Sequence, residues 1–279
     1  MAAISREELE GHARNRQLVT GLDLEGANLS GIQCPGAVLQ GCNFRGAQLS
    51  DANFDCSILR ECDFTGAAGL RAQFREALMD GSDFTGADFT GASFVEASLM
   101  RATLDNTLFR EANLDHAFLK DARIVLTDFS AATLQRAMLT GAQMELCRFD
   151  DCQADHLLAP RVDFTGSSLV RATFDRANLI AANFSLADLE DASLRGCALK
   201  DANFFSSSLH GTRFTRSNLE GSRMMNVRAA AAVIDGADLK GALLIDSDFR
   251  GVNFTKSVLV GARTDNTAFD GAIFEGAKR

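Results

Sequence analysis

From residue 22 to about residue 276 the chain repeats a five-residue unit with no insertion or deletion. The stretch Phe84-Thr85-Gly86-Ala87-Asp88-Phe89-Thr90-Gly91-Ala92-Ser93-Phe94 shows the unit at its clearest. A large apolar residue, the centre of each unit, falls at positions ending in 4 or 9: Leu24, Leu29, Leu39, Phe44, Leu49, Phe54, and onward to Phe269 and Phe274. Two residues before each centre stands a small one, such as Ala27, Ala37, Cys42, Ala47 or Ala52. A period of five matches neither the 3.6 of a helix nor the alternation of a flat strand. It asks for a repeat architecture, in which each unit buries its apolar face against its neighbours.

Local geometry follows from the same spacing. In an extended segment alternate side chains share a face, so the centre and the small residue two before it point inward together. A corner every five residues needs a residue that tolerates positive φ, and Gly26, Gly31, Gly41 and Gly46 recur at that phase. Large centres and small partners then fill a narrow dry interior at crystal-like density.

The pattern A-[DN]-[LF]-x-x resembles the pentapeptide-repeat family over about residues 22–276. That resemblance implies an all-β chain, a right-handed quadrilateral β-helix in which four pentapeptides make one square coil. About 12 to 13 coils at roughly 4.8 Å spacing would give a rod on the order of 60 Å long. The unbroken register points to one repeat domain, residues 21–279, after an N-terminal cap segment, residues 1–20. In that segment Ser5-Arg6-Glu7-Glu8 fits a capping box, and Leu9 and Ala13 follow at helical spacing, so a short helix is expected over the first coil.

Some units depart from the pattern. Leu22, Ile32, Leu157, Val162 and Val227 are large where a small residue is usual, while the nearby centres Cys34, Ala154, Ala159 and Ala229 are small. Volume moving between inward positions is the change a packed core tolerates best. Pro35 and Pro160 fit corners. At Gly69 the centre and its partner Ala67 are both small, which leaves either a void or a bulge that turns Leu70 inward. The repeat is weakest from Met224 to Val233, where a bulge is also expected.

Composition narrows the function. There are 28 basic and 37 acidic residues, a net charge of −9, which argues against direct nucleic-acid binding. No run of 18 apolar residues is present, so no membrane span is expected. The first residues lack a charged-then-apolar leader. Cys42, Cys62, Cys147, Cys152 and Cys197 occupy the small inward position and Cys34 a centre, which suits thiols in a reducing cytosol; the family resemblance implies that the cytosol is bacterial. Cys42 and Cys62, one coil apart, are the pair that could bridge. His116 and His156 lie two coils, roughly 10 Å, apart, too far to share a metal. The glycines at 81, 86 and 91 keep corner spacing rather than that of a phosphate loop. No catalytic constellation, cofactor or metal site is expected, and the chain reads as a non-enzyme.

Positions 20 apart stack if a coil holds four units. One set of centres, Leu39 through Leu259, then never carries Phe. The outward residues beside it, Val38, Ile58, Leu78, Phe118, Met138 and Leu158, with Met100 adjacent, form an apolar stripe on the order of 30 Å long and a candidate protein-binding surface. Val125, Leu126, Leu146, Leu186, Phe205, Met225 and Ile245 make a second outward apolar set. Asp55, Glu76, Glu96, Asp115, Asp155 and Asp175 climb another face, interrupted by Arg75, Arg136, Arg176, Arg213 and Arg216. Phe249, Phe254, Phe269 and Phe274 crowd the last coils.

The resemblance implies a homodimer joined through the C-terminal coils. It also implies one of two roles. The first is a scaffold or adaptor, since the opening residues loosely resemble repeat tracts attached to bacterial secretion components. The second is a DNA mimic that binds a type II topoisomerase such as gyrase, as in quinolone-resistance members.

Overall fold

The computed structural model describes residues 4–279. They form two compact units, one reaching to Gln143 and the other running from Met144 to Arg279. One helix, α1 (Arg6–Arg14), precedes the repeats. Its capping box is complete: Ser5 Oγ accepts from the Glu8 N–H at 3.2 Å, and Glu8 Oε2 accepts from the Ser5 N–H at 2.8 Å. Leu9 and Ala13 are buried, as their helical spacing requires. The Glu10 carboxylate accepts from the Gln33 N–H, which ties the helix to the repeats.

The rest is parallel β-structure in very short pieces. The strands β1 (Leu18–Thr20), β2 (Val38–Gln40), β3 (Arg123–Val125) and β4 (Gln143–Glu145) are three residues each. β1 and β2 pair in parallel, with Leu18 opposite Val38. Elsewhere single parallel bridges join equivalent positions one rung apart, in four series per unit: Asp23–Asn43–Asp63, Asn28–Gln48–Ala68, Gln33–Asn53–Gln73 and Val38–Ile58–Leu78 begin those of the first unit. Four ladders, each gaining one rung for every four pentapeptides, are the expected stacking.

Backbone polar groups account for the five-residue grammar. Each centre donates to the carbonyl just before the equivalent centre of the next rung, as Phe44 does to Asp63 at 2.7 Å. The residue before a centre donates to the inward residue of the previous rung, as Asn43 does to Leu22 at 2.8 Å. The corner residue also donates to the next rung, Gly46 to Thr65 at 2.9 Å, and the small inward residue closes a turn on the previous centre, Ala47 to Phe44 at 3.0 Å.

One N–H per unit, at positions ending in 0 or 5, is left over and needs a partner. Where the residue before the centre is Asp or Asn, its side chain supplies it: Asp63 Oδ1 accepts from the Thr65 N–H at 2.9 Å, and Asn183 Oδ1 from the Ser185 N–H at 3.2 Å. That is the physical reason Asp and Asn recur there.

Every fifth residue from Arg16 to Gly276 has positive φ, between 48° and 76°. The corner phase is therefore as expected, but most of these positions are not glycine. Stacking holds Leu126, Leu146 and Leu186 in the left-handed region, at about 1 kcal/mol each. Arg16 and β1 already keep the repeat phase, so the repeat geometry begins inside the segment assigned to the cap.

The interior is largely apolar, and over much of its length aromatic. Phe44, Phe64 and Phe84 stack face to face at 4.7 and 5.0 Å, and Phe54, Phe74 and Phe94 do so at 5.8 and 5.1 Å. Ile32, Leu157, Val162 and Val227 are buried beside the small centres Cys34, Ala154, Ala159 and Ala229, so volume is exchanged as expected.

Two expectations are corrected. Gly69 carries neither void nor bulge. Its N–H keeps the ladder bond to Asp88, and the Phe89 ring fills the space, so close that a Cβ on Gly69 would meet it at 2.2 Å. The stretch from Met224 to Val233 does not bulge either, because the bridges Arg213–Val233, Arg223–Leu243 and Arg228–Asp248 hold register. Cys42 and Cys62 remain thiols, and the hydrogen bond between them, with burial, pushes the Cys62 thiol up.

Candidate interaction surfaces

The apolar stripe is built by a ladder. Leu18, Val38, Ile58, Leu78, Ser98, Phe118 and Met138 are successive bridge partners in the first unit. Because each is the residue just before a centre, all of them face outward. Val38, Ile58, Leu78 and the adjacent Met100 are half-buried. Phe118 and Met138 are 41 % and 36 % exposed. Leu18, at 59 %, extends the row by one rung and was missed in the sequence because it precedes the first recognisable centre. Ser98 interrupts the row: it is buried and donates to Asp80, which also pairs with Arg60 at 3.3 Å. Leu158 stands in the second unit, 40 % exposed and bridged to Asn178. In the second apolar set, Leu126, Leu146, Leu186 and Phe205 are exposed and Val125, Met225 and Ile245 half-buried. Leu146 leans over Gly166, where a Cβ would meet its Cδ2 at 2.8 Å.

The acidic face has a structural origin that composition does not reveal. In six of the units where the residue before a centre is not Asp or Asn, the leftover N–H is capped by an aspartate one rung away. Asp55 accepts from Arg75, Asp115 from Gln135, Asp155 from Asp175 and Asp175 from Arg195, at 2.8 to 3.0 Å. The residues before those centres are Gln73, Thr133, Thr173 and Ser193. Asp105 and Asp150 do the same for Val125 and Val170. Four of the six carboxylates on that face are thus committed to the backbone, whereas Glu76 and Glu96 are exposed corner residues.

At the C-terminal rungs only half of the aromatic cluster is accessible. Phe249 and Phe254 are fully buried beneath Phe269 and Phe274, whose rings stack on theirs at 5.9 and 5.0 Å. Phe269 and Phe274 are half-buried, and the Arg279 guanidinium sits 3.8 Å above the Phe274 ring.

Most shifted carboxylates belong to ion pairs. The Arg250 guanidinium holds the Asp248 carboxyl down at about 2, and Arg71 and Arg171 lower Asp51 and Asp151 in the same way. For Asp128, burial pushes upward, but Ser130 and Arg110 outweigh it and hold the carboxyl below the usual range. Among the described residues there is no group of three or more side chains placed to hold a metal ion, and no helix is long and apolar enough to cross a membrane.

The sequence model for pentapeptide repeats matches residues 20–55, 71–106, 92–130, 161–196, 182–221, 222–261 and 232–276. The chain belongs to that family. Among solved structures, it is similar to HetL, a pentapeptide repeat protein involved in heterocyst differentiation regulation from the cyanobacterium Nostoc sp. strain PCC 7120. The identity is 24 %, over 97 % of this chain and 96 % of that one, with a TM-score of 0.32. Rfr23, from the cyanobacterium Cyanothece 51142, is 20 % identical over 57 % of this chain and 91 % of its own, with a TM-score of 0.30. QnrB1, a plasmid-mediated fluoroquinolone resistance protein, in a trypsin-treated variant form, is 20 % identical over 94 % and 90 %, with a TM-score of 0.24. No curated protein matches the chain. Membership of the family rests on the repeat itself.

Proposed function

We propose that this chain is a non-catalytic protein–protein interaction scaffold whose repeats wind as a right-handed, four-sided β-helix. The observation that carries this reading is the outward apolar ladder from Leu18 to Met138. A row of outward apolar side chains whose ends, Leu18 on one side and Phe118 and Met138 on the other, are exposed supports a contact. The partner is a protein in the bacterial cytoplasm, a secretion component and a type II topoisomerase being the two classes that the resemblance offers. The half-exposed Phe269 and Phe274 support a homodimer joined at the C-terminal rungs, and sedimentation at micromolar concentration tests it.

The test of the ladder is a pull-down from bacterial lysate with three baits: the wild type, a Phe118→Glu/Met138→Glu variant, and Leu186→Glu as a control on the second apolar set. A partner held by wild type and control but lost from the double variant supports the reading. Identical partners on all three baits overturn it.

A second reading has one observation in its favour. Residues 1–143 hold nineteen acidic and twelve basic residues, against eighteen and sixteen in residues 144–279. A negative field concentrated in the first unit suits a mimic of DNA that occupies a type II topoisomerase. Purified gyrase would then be inhibited, and Glu76→Lys/Glu96→Lys, which spares the capping aspartates, would abolish the effect. Unchanged inhibition by that variant removes the acidic face from the account.

A further inference from the structure

The second unit carries an arginine cluster that neither reading uses. Arg176, Arg195, Arg213 and Arg216 lie on three successive rungs of one side, since positions 173–176, 193–196 and 213–216 stack. Arg176, Arg195 and Arg216 line one open trough of about 400 Å³ together with His156 and Thr215. None of the four arginines forms an ion pair among the described residues. Arg148, Arg171, Arg250 and Arg263 of the same unit each hold an aspartate at 2.7 to 3.0 Å; what distinguishes Arg176, Arg195 and Arg216 is that they converge on one trough.

Carboxylates are nearby but already engaged. Asp155 accepts from the Asp175 N–H, and Asp175 from the Arg195 N–H and the Ser193 hydroxyl. Asp235 accepts from the Thr215 hydroxyl. These bonds hold the aspartates against the backbone, and Arg176, Arg195 and Arg216 line the trough beside them. Glycine shapes its floor: at Gly196 there is no side chain, and the Arg176 stem lies along it, 3.6 Å from where a Cβ would be. Arg216 lies over Gly236 in the same way, at 3.4 Å. Both stems therefore run in the same direction, one two rungs beyond the other.

We propose that this trough binds a small ligand carrying several phosphoryl groups. A guanidinium presents a rigid fork of donors that matches carboxylate or phosphate oxygens two at a time. One carboxylate satisfies one fork. Forks spread over three rungs, about 10 Å, need a ligand that offers acceptor oxygens along that length, as linked phosphoryl groups do. Asp155 and Asp175 also line the trough and keep their charge, so three guanidinium groups there face two carboxylates, while acidic groups more than about 10 Å away are largely screened at ordinary ionic strength.

The probe is sodium tripolyphosphate, titrated calorimetrically into the full chain, with tricarboxylate citrate and single phosphate as comparisons. Tripolyphosphate is expected to bind at one site, at least tenfold more tightly than either comparison, and more weakly as salt rises. Arg176→Gln/Arg216→Gln should lose at least tenfold in affinity, with an unchanged circular-dichroism melt. Arg250→Gln, which breaks an ion pair elsewhere in the unit, should bind as the wild type does. Equal binding of citrate, equal binding by the double variant, or the same loss in Arg250→Gln would each overturn the proposal.

Discussion

The stretch from Phe44 to Phe129 in the first unit and the stretch from Leu219 to Leu244 in the second obey the same register but fill it differently. In the first, aromatic rings touch within a rung and between rungs: Phe64 meets Phe44, Phe74, Phe84 and Phe89 at centroid distances from 4.7 to 6.4 Å. In the second, the centres are Leu219, Met224, Ala229, Ile234, Leu239 and Leu244, with no ring at all. Both keep the bridge from each rung to the next. The backbone ladder therefore sets the geometry, and the core has only to supply about the right volume. The two stretches should differ in how well they yield when volume is removed.

The strongest way to break that comparison is truncation. Phe64→Ala should cost about 5 kcal/mol, near the top of the range for a buried ring, because four neighbouring rings cannot collapse into the gap. Leu239→Ala should cost about 2 kcal/mol, since its short and flexible neighbours can close in. Urea unfolding followed by far-ultraviolet circular dichroism is the suitable measurement, because the chain has no Trp and no Tyr. Equal costs would mean that the ladder, not the neighbours, decides how a rung relaxes.

Overpacking sharpens it next. Gly69→Ala places a methyl where the Phe89 ring lies, and should cost about 2 kcal/mol. Phe89→Leu in the same chain should recover most of that, whereas Phe89→Leu alone should destabilise. Gly241→Ala in the second unit has nothing within 4 Å and φ of +62°, so only left-handed strain remains, about 1 kcal/mol. A Gly69→Ala that melts like Gly241→Ala would show that the ring can move aside.

How much of this was legible in the residues varies by kind. A period of five with no insertion made the centres, the corner phase and the outward rows readable, because phase alone decides which way a side chain points. Contacts that reach from rung to rung were not readable. Whether Phe89 tips into the space at Gly69 depends on its rotamer, although a glycine centre one rung before a phenylalanine centre was a signal that could have been used. Phe249 and Phe254 shared the phase of Phe269 and Phe274, and phase cannot say which rung covers which. Leu18 was hidden because a ladder begins before its first complete repeat unit. The acidic face was seen as charge, yet half of its meaning lay in which N–H each carboxylate serves.

Those carboxylates allow the smallest and most specific test. If a rung-to-rung aspartate and the Asp or Asn before a centre are two solutions to one leftover N–H, they should be interchangeable. Asp115→Ala in the first unit removes the partner of the Gln135 N–H and should cost about 1 kcal/mol, as the loss of a cap does. Thr133→Asn in the same chain places an acceptor two residues before Gln135 and should restore the stability. Asp175→Ala with Ser193→Asn is the matching pair in the second unit, where the aspartate also takes the Ser193 hydroxyl and the first step should cost slightly more. Thr133 is the better site of the two, because its hydroxyl is buried without a partner and loses nothing on replacement. Rescue in both units would fix the rule as a property of the repeat. A loss with rescue in neither unit would mean that the two acceptors are not equivalent, and no loss on removing either aspartate would mean that water serves the N–H once the carboxylate is gone.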